Sequence, residues 1–263
     1  LTDLSFDVAS SAGWYSAVAG LLAGFAFVAV LLPLDHDTDA DGERETGHAV
    51  VVFISAFFSL LILSITYAIL AGRTAGGTAQ GIAAHEQMVN GAAFGLSVLL
   101  LLFGLRAVLG AYGRNRSLFD PARRLVLVVT STLGPAIVLA LQFSNALDVE
   151  RYRLGAAAGS GGGLCDTAGA TPGVWLNLTI TTAALIAVGG LALVRRRLPR
   201  RQAAPELVAR SVLGLTVAFV MWSSMVVPLL PPEVVTSSLF EHVALATTAI
   251  LTVAFAAASW IGR

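Results

Sequence analysis

The sequence predicts an all-α polytopic membrane protein, one domain over residues 1–263 built as a bundle of seven transmembrane helices. Three observations carry that prediction. Of the 263 residues, 56% are hydrophobic and only 12% charged, against about 25% charged and roughly 45–50% apolar in an ordinary soluble domain. Seven apolar segments each approach the roughly 20 residues that a helix rising about 1.5 Å per residue needs to cross about 30 Å of hydrocarbon. None shows the short alternating pattern of a barrel strand, and in lipid every backbone polar group must be satisfied internally, so each segment is a helix.

The first span, Gly13–Leu34, follows Asp3 and Asp7 with no basic n-region and reads as a retained helix rather than a cleaved signal. The second, His48–Ala71, follows an acidic connector that starts at Asp35, and the third is Met88–Tyr112. The fourth, Arg124–Ala146, is preceded by Asp120-Pro121, a capping side chain before a proline suited to the first helical turn. Inside it, Gly134-Pro135 should kink the helix, because proline lacks the amide and frees a carbonyl. The fifth, Gly173–Val194, opens on a second cap-proline pair, Thr171-Pro172. The sixth is Val208–Leu230; the seventh, Ser237–Trp260, carries Ser238 and Glu241 at capping-box spacing. Between the fourth and fifth spans the connector Leu147–Pro172, with Gly155, a Ser160–Gly163 glycine run, Cys165 and Asp166, is either a lid or a disordered linker.

Arginine counts in the short loops set the orientation. Arg114, Arg116, Arg123 and Arg124 lie between spans three and four, and Arg195, Arg196, Arg197, Arg200, Arg201 and Arg210 between five and six, whereas the even loops hold Arg73, Arg151 and Arg153. The N-terminus is therefore expected outside and the C-terminus in the cytoplasm. The arginine-rich, lysine-free composition points to a bacterial gene of high GC content, and hence to a bacterial cytoplasmic membrane.

Composition also excludes several functions. A formal net charge of zero gives no basis for a nucleic-acid partner. The single cysteine is too few for a disulfide, a thiolate cluster or a redox pair. With no lysine, a retinal Schiff base cannot form.

With this topology the polar residues gather at the outer ends of the spans, while the inner halves are nearly all aliphatic. On the outer side fall Tyr67, His85, Glu86, Asn90, Gln142, Asn145, Trp175, Asn177, Trp222, Ser223, Ser224, Glu241 and His242. Polar groups at membrane depth are costly and face a bundle interior or a wet cavity, so the pattern predicts an outward polar pocket. Glu86 and Asn90 are one helical turn apart and point together. Glu86 is either a proton donor or acceptor oriented by Asn90, or a first-turn acid complementing the helix dipole. Glu241 carries the same two readings, with the Ser238 cap as a stronger structural reason. Two carboxyls in one cavity can divide the work, one as acid and the other stabilising positive charge. His85 and His242 could join them at a metal, but adjacent helical residues point about 100° apart, so each helix offers one ligand at most. No metal and no cofactor is assigned. The tryptophans near span ends, Trp14 and Trp260 above all, read as an interfacial belt. Trp222, deeper, either packs in the core or offers its ring to a cation.

Seven helices, this length, and an acid near the start of span three with another near the start of span seven resemble the small membrane-bound terpene cyclases of meroterpenoid and indole-sesquiterpene biosynthesis. The residues that carry the resemblance are Glu86 and Glu241. It implies a lipophilic prenylated substrate, carboxylic-acid protonation by Glu86 or Glu241 to start cyclisation, and aromatic shielding of the cation by Trp222 and Tyr67. His85 and His242 match nothing in that family. The residues themselves leave two alternatives open, a proton-coupled transporter or channel and a non-catalytic sensor or assembly protein, with a metal-dependent lipid hydrolase further behind. The expected partners are a lipophilic small molecule and membrane lipids. Glu86 is the preferred acid because its helix lacks an equivalent cap.

Overall fold

The computed structural model describes residues 8–34, 40–72, 78–112, 120–157, 171–195, 197, 205–235 and 237–261. The elements are α1 (Val8–Leu34), α2 (Ala40–Ala71), α3 (Thr78–Tyr112), α4 (Asp120–Val128), a π-helical turn Val129–Leu133, α5 (Gly134–Ala157), α6 (Pro172–Val194), α7 (Pro205–Met221), a second π turn Trp222–Val226, a 3₁₀ turn Val227–Leu229, the short α8 (Pro232–Val235) and α9 (Ser238–Ile261). Among the described residues there is no strand. Seven helical stretches are long and apolar enough to cross a membrane, α4 and α5 forming one of them.

Two of the boundaries that differ from the sequence expectation matter for function. The third helix starts at Thr78, well before Met88, and the fourth span runs through to Arg153 rather than ending at Ala146. Hydropathy stops where polar residues begin, but His85, Glu86, Glu150 and Arg153 are helical residues whose polar groups turn inward, so the helices continue past the apolar window. Eleven residues assigned to a loop, 147–157, are the last turns of α5. The glycine run, Cys165, Asp166, Arg114, Arg116, Arg196, Arg200, Arg201, Asp3, Asp7 and Asp35 lie outside the described residues.

The most buried helix, α3, stands between two groups. On one side it meets α1, α2 and α7; on the other it meets α5 and α9, against which α6 packs at the edge of the bundle. The side toward α5 is cut by small residues. A Cβ on Gly95 would lie 2.6 Å from Val138 Cγ1, and one on Gly91 would lie 2.7 Å from Asn145 Nδ2. This Gly-x-x-x-Gly spacing lets the two backbones approach, which in lipid is where dispersion contacts are gained. Val138 is β-branched and has no slack to yield, so Gly95→Ala should destabilise the bundle by about 1–3 kcal/mol through overpacking. A lowered midpoint of thermal unfolding in detergent is the expected result; an unchanged midpoint would mean that the helices do not meet this closely.

The kink expected at Gly134-Pro135 takes the form of the first π turn. A proline ring collides with the carbonyl four residues earlier and offers it no hydrogen bond. The residue before the proline, Gly134, instead bonds back five residues to Val129 O, and the wider turn carries Ser131 past the ring. The same solution appears at Pro228, where Val227 bonds to Trp222 O. At the end of the bundle remote from the buried acids, Arg106 donates to Ser259 O, and Arg195 lies over the Trp260 ring at 5.3 Å. Trp260 is buried beneath that guanidinium rather than standing in an interfacial belt, whereas Trp14 is exposed as a belt residue would be.

Candidate functional site

Long-range contacts bring the starts of α1, α3, α6 and α9 to one end of the bundle, together with the ends of α2, α5 and α7. Ser11 donates to Gln87 Oε1 at 3.0 Å, the Tyr15 and Tyr67 rings stack at 5.2 Å, Ser223 donates to Asn90 Oδ1 at 2.9 Å, and Thr171 donates to Glu150 Oε1 at 2.7 Å. The polar residues predicted to gather do so here. His85, Glu86, Asn90, Gln142, Asn145, Asn177, Ser223, Glu241 and Tyr67 are all buried. They do not form one pocket; α3 divides them.

On the α5–α6–α9 side sits a charged network. Thr171 caps α6 by accepting from Val174 N at 3.4 Å, with Pro172 in the first turn as the sequence suggested, and the same hydroxyl donates to Glu150. Gly173 has no side chain to keep α6 away, since a Cβ there would lie 2.8 Å from Glu150 Oε1. Arg153, one turn beyond Glu150, binds its carboxylate and places Nη1 3.8 Å from Glu241 Oε2. Asn177 donates to Glu241 Oε1 and accepts from His242 Nδ1 at 2.8 Å. Arg153 is thus the one cation that the described contacts place beside both buried carboxyls.

Glu241 is therefore not held by a capping box. The cap of α9 is Ser237, whose hydroxyl accepts from Phe240 N at 3.3 Å, while Glu241 turns into the bundle and is fully buried. Glu86 loses its dipole explanation for a related reason. It lies more than two turns inside α3, and the effect of the dipole on a carboxylate is confined to the first turn. By helical periodicity Glu86 shares a face with Asn90 and Ser97, and that face meets Ser223 and Thr216 on the α7 side. The carboxyl that the structure brings to Glu241 is thus Glu150, not Glu86. Glu150 and Arg153 escaped the sequence reading because they were assigned to a loop; their i,i+3 spacing of opposite charges was the available sign that the helix continued. His85 donates Nδ1–H to Gly81 O at 3.0 Å and packs its ring 5.1 Å from Phe240, leaving Nε2 without a partner.

A second feature is a cavity of about 160 Å³ between α3 and α5. Gly91 and Gly95 form its floor, and Leu99, Val138 and Ile137 contribute to its apolar walls. Tyr15, Phe94, Gln142 and Asn145 stand at its polar end. Ile137 and Leu141 are half-exposed, so the cavity opens sideways into lipid rather than along the bundle axis. Of the predicted site residues it gathers Gln142 and Asn145 and excludes Glu86, Glu241 and Trp222. Trp175 and Trp222, 60% and 42% exposed, do not line this cavity.

Among the described residues no group of three His, Cys, Asp or Glu side chains is arranged to hold a metal ion. The arrangement sets two buried carboxyls beside one guanidinium and leaves an apolar cavity with a polar end between α3 and α5. Compared with known protein families, characterised proteins and solved structures, the chain matches none, and the case for its function rests on these two features.

Proposed function

We propose that the protein captures a lipophilic, chain-shaped small molecule laterally from the bilayer and holds it in the groove between α3 and α5. The groove itself carries this reading: its walls are apolar, its mouth faces lipid at Ile137 and Leu141, and its only polar wall is at one end, at Gln142 and Asn145. Such a concave apolar site with a few convergent polar groups is the usual form of a small-molecule site. The arginine asymmetry between loops supports an outward-facing polar end in a bacterial cytoplasmic membrane. Photoreactive single-chain lipids should label peptides of α3 and α5 saturably. Leu141→Trp, a change at a half-exposed wall position, should fill the mouth and remove most of that labelling. Labelling that is unsaturable, or unaffected by Leu141→Trp, would sink the proposal.

A second reading, acid-initiated cyclisation or isomerisation of a prenyl chain, is favoured by Glu241, a fully buried carboxyl whose Oε2 takes no bond from a described donor. A carboxylic acid shielded from water is the proton donor such a reaction needs. In this reading Glu241 replaces Glu86 as the preferred acid. Transport is less well supported, because the half of the bundle away from this carboxyl buries mainly small hydroxyls such as Thr252 and Ser259.

A further inference from the structure

The geometry points to a single-chain lipid with a neutral carbonyl head as the occupant of the α3–α5 groove, its carbonyl oxygen accepting from the side-chain amides of Gln142 and Asn145 and its chain lying along α3; this rests on the lipid-capture reading above. Both residues are buried, and both line the polar end of the cavity. A Cβ on Gly91 would lie 2.8 Å from Gln142 Nε2 and 2.7 Å from Asn145 Nδ2, so the two amide nitrogens converge on the glycine floor of the groove. Gln142 Oε1, by contrast, is sealed away from it. Neither nitrogen is sealed in that way, and no described residue accepts a hydrogen bond from either. Two nitrogens within 2.8 Å of one point are close enough together for a single oxygen to sit about 2.9 Å from both. A carbonyl oxygen has two lone pairs and can take both bonds.

Charge narrows the choice further. None of the described lining residues is Arg, His, Asp or Glu, and the chain has no lysine. A carboxylate, sulfonate or phosphate head would also offer acceptors but would enter without a counter-charge, and burying an unpaired ion costs far more than hydrogen bonds from two neutral amides return. A hydroxyl brings a donor as well as an acceptor, and the acceptor of Gln142 is out of its reach. A bare hydrocarbon would leave two amides unpaired beside lipid, where an unsatisfied polar group is expensive. A neutral carbonyl only accepts, and it meets both donors without adding charge. Below it the apolar wall continues from Gly91 to Leu102 along α3, a rise of about 16 Å at about 1.5 Å per residue, which suits an extended hydrocarbon chain rather than a compact ring system.

The test uses the full chain in nanodiscs and four probes of one chain length: a methyl ketone, the alkane with a methylene in place of the carbonyl, the corresponding secondary alcohol and an alkyl sulfonate. Each competes, at equal mole fraction in the bilayer, against a ketone carrying a photoreactive group at its chain end, and labelling of α3 and α5 is read. The ketone should compete about tenfold better than the alkane, the ratio expected when the amide donors are otherwise left unpaired. The sulfonate should compete more weakly than the ketone. Gln142→Met keeps the side-chain shape and removes one donor, so it should take away most of the ketone's advantage without weakening the alkane. Equal competition by ketone and alkane in the wild type overturns the inference and needs no variant. An alcohol that competes better than the ketone overturns it too, since the groove would then present an acceptor, as does a sulfonate that matches the ketone or a Gln142→Met protein in which the ketone's advantage is intact. In each of these cases saturable labelling of α3 and α5 leaves the groove itself standing, whereas its absence with every photoreactive lipid removes the groove reading instead.

Discussion

Arg153→Met should destabilise the protein by about 3–5 kcal/mol, the range for removing one partner of a buried ion pair. Glu150 is buried and Glu241 fully so, and Arg153 is the cation bonded to the first and placed 3.8 Å from the second. Without the guanidinium, buried Glu150 keeps a negative charge to which no other described cation is paired. Arg151 is the control. Its ion pair with Asp148, at 3.3 Å, leaves the arginine side chain 70% exposed, and Arg151→Met should be nearly silent because exposed pairs contribute little. A charge-neutral repair is available in Arg153→Met combined with Glu150→Gln. The remaining Glu241 carboxyl can then take up a proton and be neutral, and most of the stability should return. Thermal unfolding of the purified proteins in detergent reads all three variants. If Arg153→Met melts with Arg151→Met, the network is a surface feature and the buried-pair description is wrong.

The bundle was legible in the sequence because apolar length is a direct physical requirement of crossing a bilayer, and all seven spans are found. The caps were legible where the signal was double: Thr171-Pro172 joins a side-chain acceptor to a proline that needs no amide partner, and it caps α6 as expected. Ser238 gave a weaker sign, since Ser237 beside it can do the same work, and it is Ser237 that does. What hydropathy could not see was the continuation of α3 and α5 into polar sequence. A window average falls when His85, Glu86, Glu150 and Arg153 enter it, whether those groups face water or one another. Arg153 binds Glu150 within one helix, but Thr171, Glu241 and Phe240, which meet Glu150, Arg153 and His85, lie far away in sequence, so the burial that keeps the helices going is a tertiary fact. Glu150 and Arg153 were lost for that reason, and with them the pairing of Glu150 with Glu241.

The proline at position 228 shows the same limit from another direction. Pro135 and Pro228 each follow a π turn by the same spacing, with a serine four residues before the proline, Ser131 and Ser224. Each wider turn also brings a buried serine inward. Ser131 donates to Leu127 O, and Ser223 reaches across to Asn90. The sequence alone marks where the backbone must be relieved; which neighbour then uses the distortion depends on packing.

Glu241→Gln should cut any acid-initiated turnover by about 10²–10⁴-fold, the usual contribution of a positioned general acid. Gln retains the acceptor that Asn177 binds at Oε1, so folding and membrane insertion should survive; what it lacks is a transferable carboxyl proton. Glu150→Gln should lower turnover less, because Glu150 is already engaged by Arg153 and Thr171 while Oε2 of Glu241 takes no bond from a described donor. Glu86→Gln should have the smallest effect of the three, because by helical periodicity Glu86 shares the face of α3 on which Asn90 and Ser97 meet Ser223 and Thr216. The measurement is mass spectrometry of lipid extracts from membranes expressing each variant and supplied with prenylated substrates. A cyclised product that depends on the wild-type protein and disappears with Glu241→Gln supports the acid role. Loss of product with Glu86→Gln and retention with Glu241→Gln would move the acid to the other side of α3. Absence of any protein-dependent product from every substrate offered would remove catalysis by protonation while leaving lipid capture by the groove to be judged by its own labelling experiment.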